Sequence, residues 1–412
     1  MGLLSLQALS PQVKQYLIIT GNYWAFTLTD GALRMLVVLY FHQLGYSPLN
    51  IAMLFLFYEI FGVVTNLVGG WLGARLGLNK TMNIGLGLQI IALSMLTVPE
   101  EMLTIVYVMA AQALSGIAKD LNKMSAKSSI KLLVSDGAEG KLYQWVALLT
   151  GSKNTLKGIG FFLGGLLLTL LGFKGAIMLM SALLLCVWLF SLFALKEDLG
   201  KAKSKPKFTD IFSKSTSINT LSAARMFLFG ARDVWFVVAL PVFLAVTFNW
   251  DHWWVGGFMA TWVIAYGMVQ SIAPYFTGKK QGKVPTGKTA FFWASYLTVI
   301  PLLIAMALYF NFYIQVSILL GLLLFGAVFA VNSSLHSYLI VSYASKDGVS
   351  LDVGFYYMAN AMGRLIGTLL SGWIYQDYGL AACLLISSFL LACASLLSLK
   401  LTTLPTPTPT AP

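Results

Sequence analysis

Charge is what this chain has least of. Only 10% of its 412 residues are Asp, Glu, Lys or Arg, against about 25% in ordinary soluble domains. With 58% hydrophobic residues and a mean hydropathy of +0.79, that shortage excludes a soluble globular fold. Cysteine is nearly missing as well. Cys186, Cys383 and Cys393 stand singly in apolar runs, which excludes a disulfide framework and a thiolate metal site. No nucleophile–base pair or ligand cluster emerges from the sequence, so no catalytic residue, metal or cofactor is expected and the chain is not read as an enzyme. Acidic residues are scarce too, 15 against 27 Lys and Arg. The resulting net charge of +12 is read as a membrane-topology signal, not as a nucleic-acid surface.

What the chain has instead is long apolar runs. They are continuous rather than alternating, so a β-barrel is excluded. A helix needs about 20 residues to cross the ~30 Å hydrocarbon layer. The runs predict twelve spans near 15–44, 49–73, 81–98, 102–126, 142–171, 175–195, 217–248, 253–277, 288–310, 312–340, 350–375 and 379–400. Arg75, Lys80, Lys131, Lys141, the 196–216 cluster, Lys279 through Lys288, Lys346 and Lys400 fall on one side of the predicted membrane. Glu100, Glu101, Asp251, Asp377 and Lys174 fall on the other. Positive-inside bias then expects both termini in the cytoplasm. The first residues lack a basic region, apolar core and small-residue cleavage site, so no cleavable signal peptide is expected.

One polar break, KEDLGKAKSKPKFTDIFSKSTS (196–217), divides the spans six and six. The expected domains are a bundle over 1–195, a solvated linker over 196–216, a second bundle over 217–400, and a disordered tail over 401–412. The halves repeat one another. LTDGALRMLVVLYF (28–41) has a counterpart in GARDVWFVVALPVF (230–243), aligning Asp30 with Asp233. Gly62-Val-Val matches Gly267-Met-Val. GIAKDLN (116–122) matches GAVFAVN (326–332), aligning Asn122 with Asn332. Glycine-rich runs at 158–173 and 363–379 occupy corresponding fifth spans. Duplicated halves of this kind suit transporters that rock about a midplane site. The arrangement resembles the major facilitator superfamily, implying an all-α integral membrane protein of two pseudo-symmetric six-helix bundles. That family's loop motif appears as Gly70-Trp-Leu-Gly-Ala-Arg75-Leu-Gly77-Leu-Asn-Lys80, with Ala74 where an aspartate is usual.

Basic residues stand inside several of these spans. Lys119, Lys123 and Lys127 recur every fourth residue and so share one helix face. Lys153 and Lys157 repeat the spacing in the next span, and Arg34, Arg225, Arg232 and Arg364 lie in three others. A cation inside hydrocarbon costs about 2.5–3.5 kcal/mol on insertion scales, so it normally faces a polar interior. Lys127 and Lys131 stand near the inner end, where a long stem snorkels to water. Arg34 follows Asp30 by four residues, as suited to an ion pair as to cargo. Arg232 abuts Asp233, but neighbours on a helix point apart, which leaves the arginine to the cargo. Asp120 is expected to balance the lysine stripe, and Asp30 and Asp233 to balance charge or couple transport. His336 is expected to be a satisfied core histidine. Asn22, Thr29, Asn122 and Asn154 are candidates for neutral hydrogen bonds to cargo hydroxyls. Lysine point charges and arginine forks suit phosphate-like anions, so the expected partner is a small anion.

Five stretches carry a second, narrower resemblance: GNYWAFTLTDGALRMLVVLYFHQLGYSP (21–48), YEIFGVVTNLVGGWLGARLG (58–77), SGIAKDLNKMSAKSSIK (115–131), LLTGSKNTLKG (148–158) and FLFGARDVWFVVALPVFL (227–244). They resemble the ArsJ organoarsenical efflux permeases. That resemblance implies export of 1-arseno-3-phosphoglycerate across a bacterial inner membrane, conferring arsenate resistance. It also implies a functional link to glyceraldehyde-3-phosphate dehydrogenase, which makes the compound when arsenate replaces phosphate. On this reading the chain acts as a monomer in the lipid bilayer, and Arg34, Lys119, Asn122, Lys123, Lys153, Lys157, Arg225, Arg232 and Arg364 contribute to anion binding. An organic-phosphate or sugar-phosphate antiporter of the same superfamily, and a non-transporting membrane sensor, stay open as alternatives. Proton antiport, anion exchange and uniport all fit the sequence.

Overall fold

The computed structural model describes residues 10–46, 51, 54–135, 137–195, 199–203, 206–212, 215–250, 252–277 and 284–401. Expectations for Lys196, Asp251, Lys279 and the tail from Thr402 onward fall outside the described residues. The chain is all-helical among these residues: α1 Pro11–Gln43, α2 Leu56–Leu76, α3 Leu78–Met95, α4 Ile105–Leu133, α5 Glu139–Ala194, α6 Thr216–Phe236, α7 Ala239–Thr247, α8 His252–Phe276, α9 Gly287–Tyr309, α10 Ile314–Tyr343 and α11 Val349–Ser398. Local chemistry sets several boundaries. Ser10 caps α1 by accepting from the Val13 N–H at 3.4 Å, with Pro11 at the first helical position. Thr104 caps α4 by accepting from the Tyr107 N–H at 3.3 Å.

Eight of the described helical stretches are long and apolar enough to cross a membrane. Two of them, α5 with 56 residues and α11 with 50, each turn at one glycine into two arms. Gly172 (φ 67°, ψ 177°) and Gly379 (φ 75°, ψ −175°) share a backbone conformation that favours glycine. They stand at matching places in the two sequence halves, so the repeat is visible in the backbone itself. A second correspondence is Asn122 and Asn332. Each is 0% exposed and donates back to the carbonyl four residues earlier, Ala118 O at 2.9 Å and Val328 O at 3.0 Å.

The chain groups into two compact units, one of 1–134, 152–212 and 345–358, the other of 135–151, 213–344 and 359–412. In this grouping the first turns of α5 belong to the second unit, and the first turns of α11 belong to the first. In the first unit α4 packs on α1, α2 and α3. Ser350 of α11 donates to Gly70 O at 2.7 Å there. In the second unit α10 packs on α6, α8 and α9. Glu139 of α5 accepts from Tyr338 at 2.9 Å and Ser342 at 3.1 Å there.

Part of the linker is a strap bonded to the turn between α2 and α3. The Leu78 N–H donates to Leu199 O at 2.7 Å, the Ala202 N–H donates to Ala74 O at 2.8 Å, and Trp71 donates to Pro206 O at 3.0 Å. Ala74, the departure from the loop motif, is thus 0% exposed beneath this strap.

Candidate functional site

Close helix approaches built from glycine bring the charged residues together. In the first unit, a Cβ on Gly116 of α4 would meet Tyr58 O at 2.9 Å, and one on Gly62 of α2 would lie 3.2 Å from Asp120 Oδ2. With no side chain at either place, α2 seats against α4 and Tyr58 enters between the charges. Its hydroxyl donates to Asp30, at 2.9 Å from Oδ1 and 3.1 Å from Oδ2. Lys119 Nζ stands 3.8 Å from the centre of the Tyr58 ring, and the Arg34 guanidinium 5.2 Å from it. Arg34 pairs with Glu59 of α2 at 3.3 Å, not with Asp30 four residues before it. Tyr58 satisfies the aspartate, and Glu59 holds the arginine.

Asp120, 1% exposed, holds two cations: Lys123 at 2.6 Å and Lys119 at 3.8 Å. Lys123 also faces the ring of Tyr357, 4.7 Å from its centre. Lys127 hydrogen-bonds the Tyr357 hydroxyl and lies 4.8 Å from the same ring. At 3% exposure, Lys127 does not snorkel. Its stem turns inward because the first turns of α11 offer a phenol within reach. Lys153 donates to Asn154 Oδ1 at 3.2 Å. Lys157 is partly buried where α5 crosses α1, and its carbonyl faces Gly31.

In the second unit α6 meets α11 along Gly230, Gly363 and Gly367. A Cβ on Gly367 would lie 2.7 Å from Gly230 O and 3.0 Å from the Asp233 Cβ. This seam carries Arg364 to Asp233. The carboxylate, 0% exposed, pairs with Arg232 at 2.5 Å and with Arg364 at 3.2 Å. The expectation that adjacent side chains point apart does not hold for Arg232: its long stem folds back so that the guanidinium meets its neighbour and lies 4.8 Å from the Phe229 ring centre. Arg225, 3% exposed, makes a fork to Asn360 Oδ1 (2.8 Å) and Ser333 O (3.2 Å) and stacks 3.9 Å from the Phe229 ring centre. His336, also 0% exposed, has neither ring nitrogen hydrogen-bonded among the described residues, so it is not the satisfied core histidine that was expected.

The helix carrying Asp233 is broken just beyond it. α6 ends at Phe236 and α7 begins at Ala239. Pro241 explains the break: it has no N–H to give Val237 O and its ring crowds that carbonyl. The Ala239 N–H donates to Ser371 Oγ at 3.1 Å, which replaces a lost helical partner. Interrupted helices at charged sites are a recurring device in transporters.

Several expected polar contacts are spent within the protein. Asn22 donates to Ser191 Oγ at 2.8 Å, and Thr29 to Phe26 O at 2.8 Å. Asn122 is buried where a Cβ on Gly85 would meet its amide, so it serves the packing of α4 on α3. Sequence reasoning missed the aromatic partners, Tyr58, Phe229 and Tyr357, and the break at Pro241. The tyrosine beside Glu59 and the proline inside an apolar span were the signals available.

These features define a multi-pass membrane protein whose spans bury cation-rich clusters. Residues 19–351 match the family model of the Major Facilitator Superfamily, and the chain belongs to that superfamily. Solved structures similar to it include the human organic anion transporter MFSD10 (TETRAN), at 16% identity and TM-score 0.75 over 95% of this chain and 100% of that one. A bacterial homologue of the iron transporter ferroportin, in an outward-facing state with soaked iron, is similar at 14% identity and TM-score 0.72, over 95% and 99%. FucP in its outward conformation is similar at 11% identity and TM-score 0.73, over 95% and 100%. Likeness at these identities carries the fold, one used by transporters of small solutes. No curated protein sequence matches the chain.

Proposed function

We propose that this protein is a secondary transporter that exports an anionic organoarsenical, 1-arseno-3-phosphoglycerate, by alternating access. The observation that carries the reading is the charge of the two clusters. Asp120 is shared by Lys119 and Lys123, and Asp233 by Arg232 and Arg364. Each triad by itself leaves one positive charge, the wrong sign for cationic cargo and the right one for oxyanions. Arginine forks and lysine point charges hold phosphate and arsenate groups alike. The resemblance of nearly the whole chain to the ArsJ permeases supplies the arsenic. MFSD10, similar in fold, is an organic anion transporter, which agrees in charge. On this reading Lys119, Lys123, Lys153, Arg232 and Arg364 are the main anion holders. The protein sits in a bacterial inner membrane with both termini cytoplasmic, and glyceraldehyde-3-phosphate dehydrogenase supplies its cargo.

Everted bacterial membrane vesicles containing the protein test this. They are given arsenate, glyceraldehyde 3-phosphate and NAD, with or without the dehydrogenase. Arsenic accumulation that requires the dehydrogenase is expected. Equal accumulation of free arsenate contradicts the reading in favour of an inorganic oxyanion carrier. No accumulation in either arm returns the cargo to other organic phosphates.

A further inference from the structure

In both triads the carboxylate lies behind its cations. Asp233 is 0% exposed, while the side chains of Arg232 and Arg364 are 14% and 28% exposed. Asp120 is 1% exposed behind Lys119 at 14% and Lys123 at 13%. An approaching anion meets the cations first and does not have to displace the acid. Asp233 is moreover held in place. Ser387 donates to Ala231 O at 2.6 Å on the same helix, and a Cβ on Gly367 would lie only 3.0 Å from the Asp233 Cβ, so the base of the side chain is closely packed.

A counter-ion that stays put in the loaded state matters most in the empty one. Two guanidinium groups enclosed without an anion are strongly disfavoured, because desolvation of like charges is not offset. With Asp233 the empty triad carries one net charge instead of two. We propose that Asp233, with Asp120 in the same role in the other unit, is a built-in counter-ion that lets the carrier change state without cargo. These positioning residues would thereby decide between net efflux and obligatory one-for-one exchange. The inference rests on the anion-carrier reading above.

The test uses proteoliposomes of the full-length protein, with the dehydrogenase mixture and radiolabelled arsenate outside. One set encloses buffer. The other encloses the dehydrogenase mixture with unlabelled arsenate, so that cargo is present on both sides. Wild type is expected to take up label in both sets. Asp233→Asn is expected to lose uptake at least tenfold in the buffer-filled set and to stay within threefold of wild type in the cargo-filled set. Asp233→Glu keeps the counter-ion charge beside Arg232 and Arg364 and is expected to keep net uptake at least threefold above that of Asp233→Asn, which a role without charge would not do. Undiminished net uptake by Asp233→Asn overturns the inference. So does equal loss in both sets, or net uptake by Asp233→Glu no better than that by Asp233→Asn. Absence of dehydrogenase-dependent uptake by wild type defeats the cargo assignment instead, and with it this inference.

Discussion

Replacing Tyr58 separates two interactions that meet on one side chain. Tyr58 is 3% exposed, and its hydroxyl is the donor to an Asp30 that is 6% exposed. Tyr58→Phe deletes that donor while keeping the ring beneath Lys119 at 3.8 Å and Arg34 at 5.2 Å. A hydrogen bond to a charged group is worth about 1.5–3 kcal/mol, and a buried acceptor left without it bears that loss. Tyr58→Leu removes the ring as well. Cation–π contacts contribute about 0.5–2 kcal/mol each according to their desolvation, so the leucine variant should lose at least about 1 kcal/mol more. SDS-titration unfolding of the purified protein reads both numbers. The expected order of stability is wild type, then Tyr58→Phe, then Tyr58→Leu. A phenylalanine variant as stable as wild type would refute the account of Asp30, and two variants of equal stability would refute that of Lys119.

The glycine seams make a prediction of opposite signs. A Cβ on Gly31 would stand 2.7 Å from Lys157 O and 3.3 Å from the Gly160 Cα, whereas nothing lies within 4 Å of one on Gly21. Gly31→Ala should therefore destabilise by about 1–3 kcal/mol through overpacking, and Gly21→Ala should stabilise by about 0.5–1 kcal/mol; thermal unfolding in detergent checks the signs. Arg225→Lys keeps the charge but loses the fork to Asn360 and Ser333, so it should cost about 1.5–3 kcal/mol in the same SDS titration, with less than half of that loss in Arg225→Lys/Asn360→Ala relative to Asn360→Ala alone.

The fold was legible because hydrocarbon imposes its own grammar: long apolar runs, and a repeat whose glycines recur at fixed places. Gly172 with Gly379, and Asn122 with Asn332, show the same repeat in backbone and hydrogen bonding. The charged residues were legible as residues and not as partners. Helical spacing says that Asp30 and Arg34 share a face, but it is silent on Tyr58 and Glu59 arriving from α2. It also treats Arg232 and Asp233 as divergent, although an arginine stem is long enough to fold back. Lys127 read as an interfacial lysine because nothing in its own segment announces Tyr357, 230 residues away. Aromatic rings beneath cations leave no local pattern, since a tyrosine in an apolar span is ordinary until the helices are assembled.

The central claim is that the buried cation triads hold the cargo, and transport by triad variants confirmed to be in the membrane tests it most directly. Lys119→Ala/Lys123→Ala and Arg232→Lys/Arg364→Lys are compared with wild type for dehydrogenase-dependent arsenic accumulation in everted vesicles, at matched amounts of inserted protein. The account predicts at least a tenfold loss for the lysine pair and a clear loss for the arginine pair, because lysine cannot reproduce the bidentate fork. Full accumulation by the lysine variant at wild-type insertion would contradict it.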